Sequence, residues 1–163
     1  MIVARQLSLI ITITIWATIM GGAMYSHVVY FPAYLSHLPE SNQLITGELG
    51  LHDSNFWMYI HPLAIVSFAT TLALNWKLEI KRKFILTTAI TYVVILITTA
   101  TYFVPELMAF AESTNDTSVT AANLFERGQR WQHLSWIRGI VIYCCFILLL
   151  IALTKNPKNE HVQ

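Results

Sequence analysis

Three histidines and one glutamate stand out in this sequence because each lies within or beside a strongly apolar stretch. His27 and His61 fall inside such stretches, Glu106 lies late in a third, and His133 immediately precedes a fourth. Neutral imidazole and carboxylate groups are common ligands of iron, copper and zinc. The four residues therefore form a candidate metal site, and His27 with His61 form a candidate pair of haem ligands.

Two of these histidines follow a methionine in the repeated pattern M-Y-x-H. Met24 precedes His27 by three residues, and Met58 precedes His61 by the same spacing. Residues three apart share a helix face, so thioether sulfur and imidazole could together bind Cu(I). Methionines at helical spacing also fill gaps in packing, and the histidines could serve helix packing at a membrane interface. The repeat by itself is therefore not a motif.

The elements that must position these residues are membrane helices. The 163 residues are 55% hydrophobic and only 12% charged, with a mean hydropathy of +0.54, whereas soluble domains carry roughly 25% charged residues. Four apolar stretches are long enough to cross a bilayer, at about residues 7–31, 56–76, 84–110 and 134–154. A helix satisfies its own backbone polar groups in lipid. The sequence thus predicts one domain, an all-α integral membrane four-helix bundle.

The basic residues predict how this bundle is oriented. They cluster at the N-terminus, in the second connection and after the last span: Arg5, Lys77, Lys81, Arg82, Lys83, Lys155 and Lys158. The first connection instead carries Glu40, Glu48 and Asp53. Because basic residues concentrate on the cytoplasmic side, we expect both termini in the cytoplasm. The four candidate residues would then lie at similar depth toward the outer face.

Further polar residues near this level complete the candidate site. Arg138 is expected to pair with Glu106 or to orient an anionic substrate group. Tyr102 lies one turn before Glu106 on the same helix face, where it could donate a hydrogen bond or relay a proton. The adjacent Cys144 and Cys145 imply no disulfide framework. The net charge of +1 provides no basic stripe for nucleic acid, so no nucleic-acid partner is expected.

Several short motifs resemble the anthrone-oxygenase-like family of small four-helix membrane proteins. They are "RWQHLSWIRG" before the fourth span, the small-residue run leading through "VVYFPAYL", and "TYFVPELMAF" late in the third span. The resemblance implies oxidation of a lipophilic aromatic compound by molecular oxygen. It also implies a bacterial inner, or plasma, membrane location. Glu106 stands where many members have Asn, and the histidines at 27 and 61 are not general features of the family.

The leading prediction is a membrane oxidoreductase or oxygenase acting on a lipophilic, aromatic or quinone-like substrate. Its site would comprise His27, His61, Glu106 and His133, around iron, copper, zinc or haem, or without any cofactor. Two alternatives use the same residues differently: a non-catalytic metal or haem binding or transfer protein, and a structural or assembly subunit of a membrane complex. The expected partners are the lipid bilayer, a lipophilic small molecule, and either a second copy or another membrane subunit.

Overall fold

The computed structural model describes residues 2–46, 48, 50–113 and 120–155 of the chain. Four long helices dominate it: α1 (Ile2–Leu35), α2 (Ser54–Asn75), α3 (Glu79–Glu112) and α4 (Ala121–Thr154). The described residues contain no strand, so the all-α prediction is confirmed. Each of the four helices is long and apolar enough to cross a membrane.

The helices pack in cyclic order, so that α1 contacts both α2 and α4 while α3 contacts both α2 and α4. Neighbouring helices are antiparallel: Arg5 Nε at the start of α1 donates to the Leu74 carbonyl near the end of α2, at 2.9 Å. In the middle of the bundle, the buried Trp16 donates its indole N–H to the Ile142 carbonyl of α4, at 3.0 Å. We call the end with Ile2 and Thr154 the terminal end, and the opposite end the loop end.

Helix α2 is much shorter than the others, with 22 residues against 34 in α1, α3 and α4. At 1.5 Å per residue these lengths correspond to ~33 Å and ~51 Å. The additional turns of the three longer helices form a second apolar core at the loop end, built around Trp131, Tyr34 and Phe110. A membrane-length bundle of four helices therefore continues as a bundle of three.

The connection between α1 and α2 covers this three-helix end. It contains two short helical segments, Glu40–Asn42 and Gln43–Thr46. Asn42 is only 4% exposed; its amide donates to the Phe110 carbonyl at 2.9 Å, and its side-chain oxygen accepts from the Tyr34 hydroxyl at 2.8 Å. The connection is thus attached to both α1 and α3 by one buried side chain.

Two of the helices contain a π-helical turn, at Ser26–Tyr30 in α1 and Thr99–Phe103 in α3. We call these the α1 π-turn and the α3 π-turn. Each lies just before a proline, Pro32 or Pro105. A proline lacks the backbone N–H and its ring clashes with the carbonyl four residues earlier, so widening the preceding turn relieves that clash. Pro32, just beyond the predicted first span, and Pro105, inside the predicted third span, are therefore both accommodated within continuous helices.

The predicted span at residues 134–154 is the second half of a longer helix. α4 begins at Ala121, where the Thr120 side chain accepts a hydrogen bond from the Asn123 amide, at 3.3 Å. This is the arrangement of an N-cap, which fixes where a helix begins. The apolar span therefore belongs to the same continuous helix as His133 and the residues before it.

Candidate functional site

The four predicted metal ligands are not assembled into one site. Among the described residues, no three His, Cys, Asp or Glu side chains come together in a way that could hold a metal ion. His133 is exposed on α4, and Glu106 is occupied by a different partner. The expectation of a shared level was based on depth along each helix, and depth does not determine which way a side chain faces.

Glu106 pairs with Arg127 rather than with Arg138, so the predicted Glu106–Arg138 pair is wrong. Arg127 Nε donates to Glu106 Oε1 at 2.8 Å, between partly exposed side chains at the loop end. Arg127 and Arg138 are eleven residues apart, which is roughly 16 Å along α4. Tyr102, one turn before Glu106, lies within electrostatic reach of the same guanidinium. These three side chains therefore form a structural cluster that links α3 to α4.

His61 faces the interior of the bundle and hydrogen-bonds to α3. Its Nδ1 lies 2.7 Å from the Tyr92 hydroxyl, and its ring stacks on Trp57 at 5.5 Å between centroids. The Tyr92 ring in turn packs edge-on against Trp16, at 5.0 Å. The ring contacts of His27 are instead with Phe31 and Trp136. Among the described residues, His27 and His61 therefore share no hydrogen bond or ring contact.

Arg138 contacts the α3 π-turn. It donates to the Thr99 hydroxyl at 2.9 Å and to the Ser135 hydroxyl at 2.9 Å. Its guanidinium carbon lies 3.9 Å from the centroid of the Phe103 ring, a close cation–π contact. No carboxylate in the described part of the chain forms a salt bridge with it.

His27 is different, because it has an unused ring nitrogen. The residue is only 3% exposed. Its Nδ1 lies 2.5 Å from the Ala23 carbonyl, and since a carbonyl can only accept, Nδ1 carries the proton. In the neutral imidazole, Nε2 is then the unprotonated nitrogen, and it is buried without a hydrogen-bond partner among the described residues. Buried polar atoms in native proteins are nearly always partnered, so this lone pair requires an explanation.

The His27 ring lines a small cavity between α1 and α4, which we call the α1–α4 groove. Its volume is about 150 Å³ and its lining is almost wholly apolar. The lining residues are Met20, Ala23, Met24, His27, Trp136, Gly139, Ile140, Ile142 and Tyr143. Gly139 allows the close approach: a methyl group there would lie 3.9 Å from both Cε1 and Nε2 of the imidazole. The groove thus presents one hydrogen-bond acceptor in apolar surroundings.

The methionines of the repeated pattern divide between two environments. Met24 lines the groove beside His27. Met58 is 64% exposed and lies on the surface of α2. The two M-Y-x-H segments therefore do not form one ligand set.

A second cavity, which the sequence did not indicate, lies on the other side of the α1 π-turn. We call it the loop cavity; it measures about 530 Å³ and lies between α1 and the start of α2. The lining residues are Gly21, Gly22, Tyr25, Ser26, Tyr30, Leu51, His52, Asp53, Phe56 and Trp57. Tyr30 is 5% exposed, and its hydroxyl is buried without a partner. The acidic first connection, in which His52 and Asp53 are adjacent, is the sequence signal for this site.

Asp53 supplies the carboxylate of the loop cavity. Its Oδ2 accepts a hydrogen bond from Trp57 Nε1 at 3.3 Å. Partial burial raises the pKa of the Asp53 carboxyl above its usual value, while hydrogen bonds from the Trp57 indole and the Ser54 amide act in the opposite direction. Asp53 and Tyr30 both line this cavity.

Comparison with protein-family models, with curated proteins and with solved structures finds no match to this chain. A function is therefore inferred from the α1–α4 groove, the loop cavity and the polar atoms of the residues that line them.

Proposed function

We propose that this chain is an integral membrane oxygenase that acts on a lipophilic aromatic substrate in the α1–α4 groove. The observation that supports it best is the buried, unpartnered Nε2 of His27 within an almost wholly apolar cavity. The four long helices would cross the bilayer with both termini in the cytoplasm, as the distribution of basic residues predicts.

His27 has the features that a proton acceptor requires. Its hydrogen bond to the Ala23 carbonyl fixes both the tautomer and the ring orientation, so Nε2 is available as a base. Ring contacts with Trp136 at 4.9 Å and Phe31 at 5.8 Å hold the imidazole in place. Positioned general bases contribute typically 10²–10⁴-fold to a rate. We assign this role to His27 alone, because His61 and Glu106 already have partners.

The reaction would convert a ring methylene group to a carbonyl, with molecular oxygen as the oxidant. His27 takes a proton from the acidic methylene carbon, and the carbanion adds oxygen to form a substrate hydroperoxide anion. Protonation of that anion, and loss of the second hydrogen as water leaves, gives the carbonyl product. One atom of oxygen is retained in the product and the other leaves in water, so no external reductant is consumed.

Metal or haem binding is a second candidate, favoured by one observation. Metal-ligating histidines commonly donate their other ring N–H to a backbone carbonyl, as His27 does. The described residues contain no group of three or more His, Cys, Asp or Glu side chains that could hold an ion. An ion at Nε2 would thus need further ligands from the substrate, from a partner subunit or from the Met24 thioether, which lines the same groove.

The test is oxygen consumption by the purified protein in detergent, with anthrone as the probe and anthraquinone formation followed by absorbance. We expect His27→Gln to lower the rate about 10²–10⁴-fold, and His133→Gln, an exposed histidine on the neighbouring helix, to leave it unchanged. Rates equal to those of empty micelles would contradict the proposal. Stoichiometric metal or haem in the wild type that is lost in His27→Gln would favour the second candidate.

A further inference from the structure

The loop cavity differs from the α1–α4 groove in its chemistry. It is larger, at about 530 Å³, which is within the size range of small-molecule sites. It combines one carboxylate, one unpartnered phenol hydroxyl and several aromatic rings. We propose that the loop cavity binds an organic ammonium group, either a protonated amine or a quaternary ammonium, between Asp53, Tyr30 and the surrounding rings. This proposal does not depend on the chemistry assigned to His27.

The charge balance around the cavity favours a cation. No Lys or Arg occurs between Arg5 and Lys77, whereas every lining residue lies between positions 21 and 57. Asp53 therefore has no basic neighbour along this part of the chain other than His52, which lines the same cavity. Glu40 and Glu48 in the same connection add to the negative potential. A phosphate or carboxylate ligand would meet no fixed positive side chain here.

Two kinds of contact are available to an ammonium group. The Tyr30 hydroxyl is buried without a partner and can accept a hydrogen bond from an amine N–H. Tyr25, Phe56 and Trp57 supply aromatic faces, which attract organic cations whether or not they carry an N–H. The partial burial that raises the pKa of Asp53 also indicates that this carboxylate would gain from a cationic neighbour.

The two contacts can be separated by the choice of ligand. We would measure the binding of methylammonium and tetramethylammonium to the purified protein by titration calorimetry in detergent without choline-like headgroups. Asp53→Asn should weaken both ligands about tenfold or more. Tyr30→Phe should weaken methylammonium about threefold and leave tetramethylammonium unchanged, because only the former donates a hydrogen bond. Glu126→Gln, which removes an exposed carboxylate on α4 away from the cavity lining, is the matched control.

Asp53→Glu keeps the negative charge and should therefore retain ammonium binding. This control distinguishes a loss of binding caused by the missing charge in Asp53→Asn from one caused by misfolding. The proposal is overturned if the wild type binds neither cation at millimolar concentration, or if Asp53→Asn binds as well as the wild type. Neither result would affect the oxygen-consumption test of His27.

The same titration in nanodiscs distinguishes a lipid headgroup from a free amine. If phosphatidylcholine headgroups occupy the cavity, tetramethylammonium will bind more weakly in phosphatidylcholine nanodiscs than in phosphatidylglycerol nanodiscs, and this difference will disappear in Asp53→Asn. Equal affinities in the two wild-type samples would identify a free ammonium compound as the ligand.

Discussion

The α1 π-turn and the α3 π-turn share one backbone distortion and differ in what their side chains do. Around the α3 π-turn the polar groups are partnered: Trp131 Nε1 donates to the Phe103 carbonyl at 3.0 Å, and Arg138 donates to the Thr99 hydroxyl. In the α1 π-turn, His27 Nε2 and the Tyr30 hydroxyl are both buried without partners among the described residues. One turn therefore links two helices by hydrogen bonds, while the other leaves two buried polar atoms unpartnered in residues that line two cavities.

The physical reason for this difference lies in the neighbouring helix. α4 offers Trp131 and Arg138 to α3, and the Ser135 hydroxyl accepts a further hydrogen bond from Arg138 within α4. Toward α1 the same helix presents Trp136, Gly139 and Ile140, which have no hydrogen-bonding atom close to the imidazole nitrogen. Unpartnered buried groups cost stability, and that cost is expected where a protein retains them for binding.

The largest effect is expected from Trp131→Ala at the α3 π-turn. Trp131 is 2% exposed, and removing such a side chain typically costs about 3–5 kcal/mol. Trp136→Ala, which removes an indole beside His27 that is 37% exposed, should cost well under half as much. Denaturant unfolding in micelles, followed by circular dichroism, measures both. Equal losses would show that the two turns are equally structural.

Replacing Arg138 and His27 by apolar residues should affect the free energy of unfolding differently at the two π-turns. Arg138→Met removes two hydrogen bonds and the cation–π contact, and we expect a loss of about 2 kcal/mol in the free energy of unfolding. His27→Leu removes the Nδ1 hydrogen bond to the Ala23 carbonyl together with the unpartnered acceptor Nε2. Because relief of the second offsets loss of the first, it should be neutral or stabilising by up to about 1 kcal/mol. A loss above about 2 kcal/mol for His27→Leu would mean that Nε2 has a structural partner.

A pH dependence is expected from Asp53, which faces Tyr30 across the loop cavity. Because its pKa is raised in the folded state, the folded protein binds more protons than the unfolded chain in the window above the ordinary value of 3.8. Stability should therefore fall as pH rises through that window and stay lower at neutral pH. Asp53→Asn should be more stable than the wild type at pH 7 and no more stable below the window. Unfolding titrations at several pH values measure this, and an unchanged difference across the range would contradict it.

The smallest effect on stability is expected from Gly139→Ala. The new methyl group would lie in ordinary van der Waals contact with the His27 ring, at 3.9 Å, and alanine favours a helix over glycine by up to about 1 kcal/mol. The variant should thus be as stable as the wild type or slightly more so. It should nevertheless oxidise anthrone more slowly, because the groove is narrower beside Nε2. Unchanged oxidation kinetics would place the substrate elsewhere.

Sequence reasoning could predict the helices but not their faces. Apolar runs of sufficient length indicated four spans, and the structure contains four corresponding helices. Side-chain direction depends on rotation about each helix axis, which local sequence does not determine, so Glu106 was matched with Arg138 when Arg127 lies closer. The predicted first span, residues 7–31, also ends before α1 does. The α1 π-turn accommodates Pro32, so the helix continues to Leu35.

His27 was predicted as a site residue from its apolar surroundings, and the structure adds that its Nε2 is buried without a partner among the described residues. Tyr30 and Asp53 were not identified as a pair. Taken alone, Tyr30 is explained as an interfacial aromatic residue and Asp53 as a loop carboxylate. Their proximity depends on the close contact of α1 with the start of α2 at Gly22, where an added methyl group would come within 2.8 Å of the Phe56 ring.

The anchoring of the first connection by Asn42 has a consequence for binding kinetics and entropy. A loop that must be ordered by its ligand gives up part of its interaction energy to lost chain freedom. Here Asn42 is attached to α1 and α3 through its side chain, and Leu51, which lines the loop cavity, donates its backbone amide to the Leu44 carbonyl. An ammonium compound entering the loop cavity would meet a preorganised wall, so its association should be fast and its affinity should depend little on loop motion.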